Sequence, residues 1–327
     1  MTAAAPVIRR SHDRDLASVF ALLRDSLGWT DDPRHEALFA WKHHENPFGA
    51  SPTWVALDDE RVVGLRAFMR WEFEHGGEVV RAVRAVDTAT HPEFQGRGVF
   101  SRLTQTAVDE LAAEGVRFVF NTPNRQSRPG YLKLGWRDVG RLPIAARPTS
   151  LRGFARMARA RGPAQRWSAP SGTGLAAADV LRDRSAVGRL LEARAPATGL
   201  RTRTTPDFLT WRYGSSVVDY RAVVDDRGIE AGVAIFRVRE RGAAREAVLG
   251  EVLSPGTDTR VRAALVRRVL DVADADYLIG SRAPGARSPG LLPLPRQGPR
   301  VTWRALACSA MPPRETWGLA LGDVELF

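Results

Sequence analysis

The sequence predicts an α/β fold that occurs twice along one chain of 327 residues. Strands and helices alternate over the first 147 residues, where a glycine-rich loop leads into an apolar-periodic helix. Beyond residue 174, parts of the same pattern return at a nearly constant spacing. We therefore predict two domains, at 1–147 and 175–327, joined by a basic linker at 148–174 rich in Arg, Pro, Gly and Ser.

The elements of the first domain follow from their hydrophobic periods. Strands are predicted at 7–8, 54–57, 62–70, 79–90 and 116–122, with a final strand from Trp136. Helices are predicted around 16–23, 36–43 and 99–114, with a helical turn at 127–134. The run 116–122 is nearly all apolar, as expected for a strand buried on both faces.

Several short segments of the second half match segments of the first. Phe208-Leu-Thr-Trp211 corresponds to Leu38-Phe-Ala-Trp41, a shift of 170 positions (211 − 41). Gly232-Val-Ala-Ile-Phe236 corresponds to Gly64-Leu-Arg-Ala-Phe68, a shift of 168 (236 − 68). An apolar-periodic helix at 261–269 takes the place of the helix that follows the glycine-rich loop. The near-constant shift predicts a duplicated fold.

The most informative segment lies between residues 90 and 136. It begins His91-Pro-Glu-Phe-Gln95-Gly-Arg-Gly98 and leads into the predicted helix. Unpaired backbone N–H groups and the helix dipole make such a helix start suitable for a pyrophosphate. Beyond the next predicted strand, the chain places Asn124, Ser127 and Tyr131 at fixed spacing.

Together these motifs resemble the acyl-coenzyme-A site of the GNAT superfamily of N-acetyltransferases, over roughly residues 6–147. The family pattern is Gln/Arg-x-x-Gly-x-Gly/Ala, then Asn-x-x-Ala/Ser and Tyr-x-Lys-x-Gly-Phe. This chain departs at Phe100, where a small residue is usual, and at Gly130, where a large apolar one is usual. The resemblance implies tandem GNAT-like domains, each a mixed, mostly antiparallel twisted sheet flanked by helices.

The second domain lacks the motif residues. Where the first has its glycine loop, the second has Ser254-Pro-Gly-Thr-Asp-Thr-Arg260, and Leu291 stands in place of Tyr131. We therefore expect the second domain to keep the scaffold and to have lost the coenzyme A site.

The resemblance implies a set of cofactor-binding residues in the first domain. Acetyl-coenzyme A, or another acyl-coenzyme A, would place its pyrophosphate on the glycine loop and its amide-rich arm along the end of the fourth strand. The residues expected to bind it are Ala89, Thr90, His91, Gln95, Gly96, Arg97, Gly98, Val99, Phe100, Ser101 and Asn124. For Asn124 the alternative is a simple turn residue that follows a strand.

Two residues are predicted to be catalytic. The resemblance implies that Tyr131 protonates the coenzyme A thiolate as a general acid, the alternative being a packed tyrosine. Asp87 would remove a proton from the acceptor amine, the alternative being a satisfied structural acid. Glu72 and Glu74 are further candidates for the base. So is the carboxylate of Phe327, because some tandem-domain relatives use a C-terminal carboxylate.

The predicted function is acyl transfer from acetyl-coenzyme A to a primary amine of a small molecule by direct attack. The acceptor could be an amino sugar, an aminoglycoside-like antibiotic or another metabolite. Cys308 lies outside the motif segment, so no covalent relay through cysteine is expected. The alternatives are an acyltransferase with a different acyl thioester donor and a non-catalytic sensor of acyl-coenzyme A.

The composition of the chain limits the classes of partner that we expect. The net charge is +11, and almost all the positively charged side chains are arginines. Because these arginines are spread along the chain, we do not expect a nucleic-acid partner. No apolar run reaches roughly 18 residues, and no membrane partner is expected. The histidines show no metal-ligand spacing, so no metal site is predicted. A single cysteine is typical of the cytoplasm, and we expect a monomer or homodimer.

Overall fold

A computed structural model describes residues 5–308 and 312–325 of the chain. The candidate base at Phe327 lies outside these residues. The described chain forms two compact units, and neither is one continuous segment. The first unit contains residues 5–72, 80–139 and 300–308, and the second contains 73–79, 140–299 and 312–325.

The strands belong to two mixed sheets. In chain order they are β1 (Val7–Arg10), β2 (Thr53–Asp58), β3 (Arg61–His75), β4 (Glu78–Thr90), β5 (Phe118–Asn121), β6 (Arg137–Arg141), β7 (Ile144–Pro148), β8 (Leu175–Ala176), β9 (Arg201–Thr202), β10 (Arg221–Val224), β11 (Val233–Arg241), β12 (Ala244–Leu253), β13 (Tyr277–Ser281), β14 (Leu292–Leu294) and β15 (Arg300–Ala305).

Helices flank both sheets. In chain order they are α1 (Leu16–Leu27), α2 (Arg34–His43), α3 (Val99–Ala113), α4 (Arg128–Lys133), α5 (Leu151–Arg159), α6 (Ala177–Val180), α7 (Arg184–Glu192), α8 (Pro206–Gly214), α9 (Thr259–Val272) and α10 (Leu321–Val324). Short 3-10 turns lie at Asp13–Asp15, Pro92–Phe94, Ile229–Ala231 and Arg314–Thr316. Among the described residues, no helix is long and apolar enough to cross a membrane.

The sheet of the first unit follows the order β1-β2-β3-β4-β5-β15-β6. β1, β2 and β3 pair antiparallel, whereas β4 and β5 pair parallel. A parallel pair needs a crossover, and α3 supplies it by packing an apolar face that includes Leu103, Ala107 and Leu111 into the core. The strands and helices predicted from residues 7 to 141 are all present, so the mixed α/β class is confirmed.

The second unit repeats this arrangement around its own core. Its sheet has the order β14-β7-β13-β12-β11-β10-β8. β11 and β12 form an antiparallel hairpin, β12 and β13 pair parallel, and α9 makes the crossover between them. The helix predicted at 261–269 lies within α9, and its buried residues in that core include Leu265, Val266 and Val269. Hairpin, helix and parallel strand thus occur in the same order as β3, β4, α3 and β5.

The structure divides the chain differently from the contiguous domains predicted at 1–147 and 175–327. β15 lies between β5 and β6 in the first sheet, where Thr302 pairs with Asn121. β7, which the sequence assigned to the first domain, pairs with β13 in the second sheet. The cause is backbone hydrogen bonding between segments distant in sequence, which hydrophobic periods do not reveal.

Candidate functional site

A cavity of about 340 Å³ opens in the first unit where β4 ends and α3 begins. Among the predicted site residues, its lining includes Ala89, Thr90, Gln95, Phe100 and Tyr131. The sequence did not predict the remaining residues of the lining, which are Ser26, Leu27, Thr88, Gln126, Ser127 and Gly130. The end of β4, the start of α3 and the turn before α4 therefore meet at one cavity.

The cavity exists because β4 extends beyond its parallel partner. β4 pairs with β5 over Ala82–Arg84 and then continues to Thr90. The strand end is held by two side chains, since Ser26 Oγ and Gln95 Nε2 donate to the Thr90 carbonyl at 3.3 and 3.2 Å. On the edge where β5 pairs earlier in the strand, the last part of β4 therefore lies beside a cavity, whereas its other edge neighbours β3.

The glycine loop has the backbone that its sequence predicts. Gly96 and Gly98 have φ of +74° and +76°, a left-handed conformation that other residues rarely adopt. A Cβ at either position would meet no atom within 4 Å. The glycines are thus needed for backbone conformation rather than for packing, and the space beside them is open to a ligand. The first N–H groups of α3, at Val99 to Ser101, have no partner within the helix.

Tyr131 lies in α4 with its side chain almost buried and its hydroxyl fixed by a cation. Arg66 Nη1 donates to Tyr131 Oη at 2.8 Å. The Phe100 ring stands edge-on to the Tyr131 ring, with centroids 5.6 Å apart, and Trp136 packs 5.2 Å away. A buried tyrosine usually has a hydrogen-bond partner for its hydroxyl, and here that partner is positively charged.

Arg66 contacts the predicted catalytic tyrosine, and the sequence analysis did not identify it. It is fully buried on β3, between the rings of Phe68 and Tyr131, and also donates to Thr88 Oγ1. Its Nε and Nη2 atoms have no hydrogen-bond partner among the described residues. A buried cation without a carboxylate partner is costly, so its position beside Tyr131 is unusual. The available signal was an arginine within the otherwise apolar run 62–69 of β3.

Asp87 is held by two residues of α2. Its carboxylate accepts hydrogen bonds from Lys42 Nζ and from His43 Nε2, the latter at 2.8 Å. Burial acts to raise the pKa of Asp87, but the charge of Lys42 and the bond to His43 outweigh it and lower that pKa well below its ordinary value. Burial lowers the pKa of His43. A carboxylate held in this way is a weak proton acceptor.

Two other predicted cofactor-binding residues, Asn124 and His91, form local caps away from the cavity. Asn124 is exposed, and its Oδ1 accepts from Gln126 N and from both Ser127 N and Ser127 Oγ, so its carbonyl caps the turn before α4. His91 caps the following 3-10 turn through Nδ1 and contacts Arg61 through Nε2. Neither lines the cavity.

Three more residues of the predicted cofactor set lie at the start of α3. The Val99 side chain belongs to the core, so only its backbone faces the loop. The side chains of Arg97 and Ser101 are exposed. Of the further base candidates, Glu74 is paired with Arg201 at 3.0 Å and Glu72 is half-buried on β3.

Comparisons with known proteins agree with this geometry. Residues 7–139 match the family model described as an acetyltransferase (GNAT) domain. The matched region covers β1 to α4 and thus the whole cavity lining. The comparison with curated proteins gave no match.

Solved structures share the fold over most of the chain. A GCN5-related N-acetyltransferase from Anabaena variabilis has a TM-score of 0.63 at 13% identity, covering 92% of this chain and 72% of that one. One from Kribbella flavida has a TM-score of 0.61 at 16% identity, covering 94% and 73%. Eis1 from Mycobacterium abscessus has a TM-score of 0.57 at 16% identity, covering 92% and 74%. At these identities the likeness establishes the fold.

Proposed function

We propose that the first unit transfers an acyl group, in the simplest case acetyl from acetyl-coenzyme A, to a primary amine of a small molecule. The observation that carries the proposal is the meeting of three features at one cavity: the end of β4, the residues Gln95 and Phe100 that flank the glycine loop, and the side chain of Tyr131. The match of residues 7–139 to an acetyltransferase (GNAT) domain supports the same reaction class.

The residues present fit a coenzyme A donor. Open space beside Gly96 and Gly98, together with the N–H groups that begin α3, suits a pyrophosphate. The exposed Arg97 adds a cation there. The strand end at Ala89 and Thr90 would run beside the amide-rich arm. When bound, the donor would supply the thioester carbonyl that the amine attacks. The protein's own residues would position the donor and the amine and transfer the protons.

Tyr131 Oη holds the proton that the departing thiolate needs. In our proposal Arg66 fixes the direction of this hydroxyl through the 2.8 Å hydrogen bond. The same buried cation would stabilise negative charge on the sulfur or on the phenol as the proton moves. The Phe100 ring on the other side of Tyr131 would limit the access of water.

Asp87 was predicted to be the base, and its surroundings favour a different task. Its lowered pKa and its bonds to the buried Lys42 cation and to the His43 ring make it a fixed structural partner next to the cavity-lining Thr88. We propose that Asp87 positions this end of β4 and α2, and that the acceptor amine reaches the cavity in its neutral form or loses its proton to water.

The two units are proposed to be tandem copies of one fold. The common order of hairpin, helix and parallel strand supports this, as do structural neighbours that cover more than nine-tenths of the chain. The glycine loop and the tyrosine occur in the first copy, so coenzyme A is expected to bind there.

The test is to incubate the purified protein with acetyl-coenzyme A and a panel of primary amines, and to measure turnover by the release of free coenzyme A thiol. Tyr131→Phe should lower kcat by about 10²-fold or more while coenzyme A binding changes little, because general-acid catalysis is worth about that much. Tyr213→Phe is the matched control, since this buried tyrosine of the second unit has no hydrogen-bond partner for its hydroxyl among the described residues.

Two outcomes would overturn the proposal. If Tyr131→Phe turns over like the wild type, the tyrosine is a packing residue. If the wild type binds acyl-coenzyme A tightly and acylates none of the amines, the first unit is a sensor rather than an enzyme. Mass analysis of a copurified thioester would identify a donor other than acetyl-coenzyme A.

A further inference from the structure

The second unit contains a cavity of about 400 Å³ at the topological position that the coenzyme A cavity occupies in the first. The first cavity lies between the last residues of α1, the end of β4 with the loop into α3, and the segment after β5. The second lies between the segment after α7, the β12–α9 loop and the segment after β13. Its volume is within the range of small-molecule sites.

The chemistry of the second cavity differs from that of the first. Its lining contains the arginines Arg194, Arg201, Arg262 and Arg287, against the single carboxylate of Glu315. The loop that enters α9 is Ser254-Pro-Gly-Thr-Asp258, and it begins a helix of 14 residues. No tyrosine lines this cavity, so the chemistry proposed for the first unit has no counterpart in it.

Arg194 provides the main argument for a ligand. Its guanidinium has neither a hydrogen bond nor an ion pair within the described part of the chain. The loop holds it in place, since Gly256 N donates to Ala193 O at 2.7 Å and Arg194 bridges to Gly256. Burial lowers the pKa of Arg194, although Glu251 acts to raise it. A half-buried guanidinium with unused donors indicates a missing anionic partner.

The other polar groups of the cavity are only partly satisfied. Ser254 is 3% exposed, and its Oγ has no hydrogen-bond partner among the described residues. Arg201 is paired with Glu74 at 3.0 Å, but its buried Nε is also unpartnered. Arg262 donates to two backbone carbonyls, at Val252 and Arg287, and to no side chain. Several donors therefore converge on one space without an acceptor.

Two carboxylates beside the cavity do not balance these charges. Glu74 is used by Arg201. Glu251 is buried, and burial raises its pKa, while Arg194 and Arg262 act in the opposite direction. Neither forms an ion pair with Arg194 or Arg287 within the described chain. The space between these arginines keeps an excess of positive charge.

We propose that this cavity, which we call the arginine pocket, binds a small molecule that carries a phosphate or carboxylate group. Guanidinium groups pair with both anions in the same bidentate geometry. The arginine pocket would thus be a second ligand site of the chain, built on the same scaffold position as the coenzyme A site but selective for a small anion. It is independent of the acyl transfer proposed for the first unit.

Isothermal titration calorimetry with inorganic pyrophosphate and with citrate tests the proposal and separates the two anion classes. At least one probe should bind the wild-type protein. Arg194→Gln should raise its Kd by about tenfold or more, because charge-assisted hydrogen bonds are lost. Arg287→Gln, at an exposed position, is a second variant that removes a pocket cation with little effect on packing.

Two further variants identify where the probe binds. Arg182→Gln removes an exposed arginine of the second unit outside the pocket and should leave the Kd unchanged. Arg97→Gln should also leave it unchanged, since Arg97 belongs to the glycine loop of the first unit. A Kd raised by Arg97→Gln and unaffected by Arg194→Gln would place the anion at the glycine loop and overturn the proposal. The proposal would also be overturned if neither pyrophosphate nor citrate binds the wild-type protein.

Discussion

The ring of Phe100 occupies the space that a side chain at position 130 would take. A Cβ built on Gly130 would lie 3.2 Å from Phe100 Cε1, closer than ordinary van der Waals contact. Phe100 and Gly130 are the two positions at which this chain departs from the GNAT motif, a small and a large residue being usual there. The two departures compensate each other, because the large residue has moved from α4 to α3. The ring that fills the gap also packs against Tyr131.

Gly130→Leu tests this exchange of volume. The substitution should destabilise the protein by about 1–3 kcal/mol through overpacking, although leucine favours helix over glycine by nearly 1 kcal/mol. The double variant Phe100→Ala with Gly130→Leu should regain a large part of this loss. Urea unfolding of the wild type and three variants gives the coupling energy, and additive effects would show that the two sites are independent.

Arg66→Met should separate the effect of charge from the effect of packing at Tyr131, the proposed general acid. Methionine keeps an apolar stem and removes a buried cation, so we expect the free energy of unfolding to change by less than about 2 kcal/mol. Turnover should nevertheless fall by more than about tenfold because the Tyr131 hydroxyl loses its partner. In a Tyr131→Phe background the same change should have little further effect on kcat. Equal losses in both backgrounds would show that Arg66 acts independently of Tyr131.

Asp87→Asn should destabilise the protein strongly. Lys42 is almost fully buried, and Asp87 is its carboxylate partner among the described residues. Removing one member of a buried pair costs roughly 3–5 kcal/mol. Lys42→Met combined with Asp87→Asn should restore much of that loss. Thermal unfolding followed by circular dichroism measures both, and a single variant as stable as the wild type would contradict a structural role for the pair.

The same pair predicts how the stability of the wild type depends on acid. The pKa of Asp87 is lowered by folding, so its contribution to stability is fully present above its unfolded pKa of about 3.9 and is lost as the pH falls below that value. The free energy of unfolding should therefore decrease from about pH 5 downward, and the decrease should be shallower in the double variant.

Asp323 predicts the opposite dependence on pH. It is buried in α10, and burial, together with the nearby Glu251, raises its pKa to about 7. A raised pKa means that stability is greatest below the unfolded value of about 3.9 and declines as the pH rises through the folded pKa. Asp323→Asn keeps an oxygen for the 2.7 Å bond from Ala320 N. It should stabilise the protein by on the order of 2 kcal/mol at pH 8 and have little effect at pH 4. Urea unfolding at the two pH values measures this difference.

Local sequence signals were sufficient for most elements of the first unit. Gly98 before Val99 marked the start of α3, and the end of that helix was predicted to within one residue of Ala113. The Asn124-to-Trp136 motif located the turn and α4 correctly. These features depend on capping, glycine conformation and periodicity, which act over a few residues and can be read without the fold.

Contacts between distant segments could not be predicted in this way. The Asp87 carboxylate was identified from its place on a strand, but its partners Lys42 and His43 come from a helix more than 40 positions earlier. Arg66 and Tyr131 are 65 residues apart, and the sequence around neither residue predicts their hydrogen bond. The placement of β15 beside β5 likewise depends on a strand edge that exists only after folding.

The sequence by itself determined the reaction class to expect, the order of elements around the glycine loop and the absence of that motif from the second half. It did so because a pyrophosphate site at a helix start needs particular residues in a short consecutive run. The tertiary structure decided which charged groups are free to act. Whether a carboxylate or a guanidinium is paired, buried or open to a ligand depends on neighbours brought together by packing. For that reason only the tertiary structure shows that Asp87 is bound to Lys42 and His43, that Arg66 contacts Tyr131, and that four arginines line one cavity of the second unit.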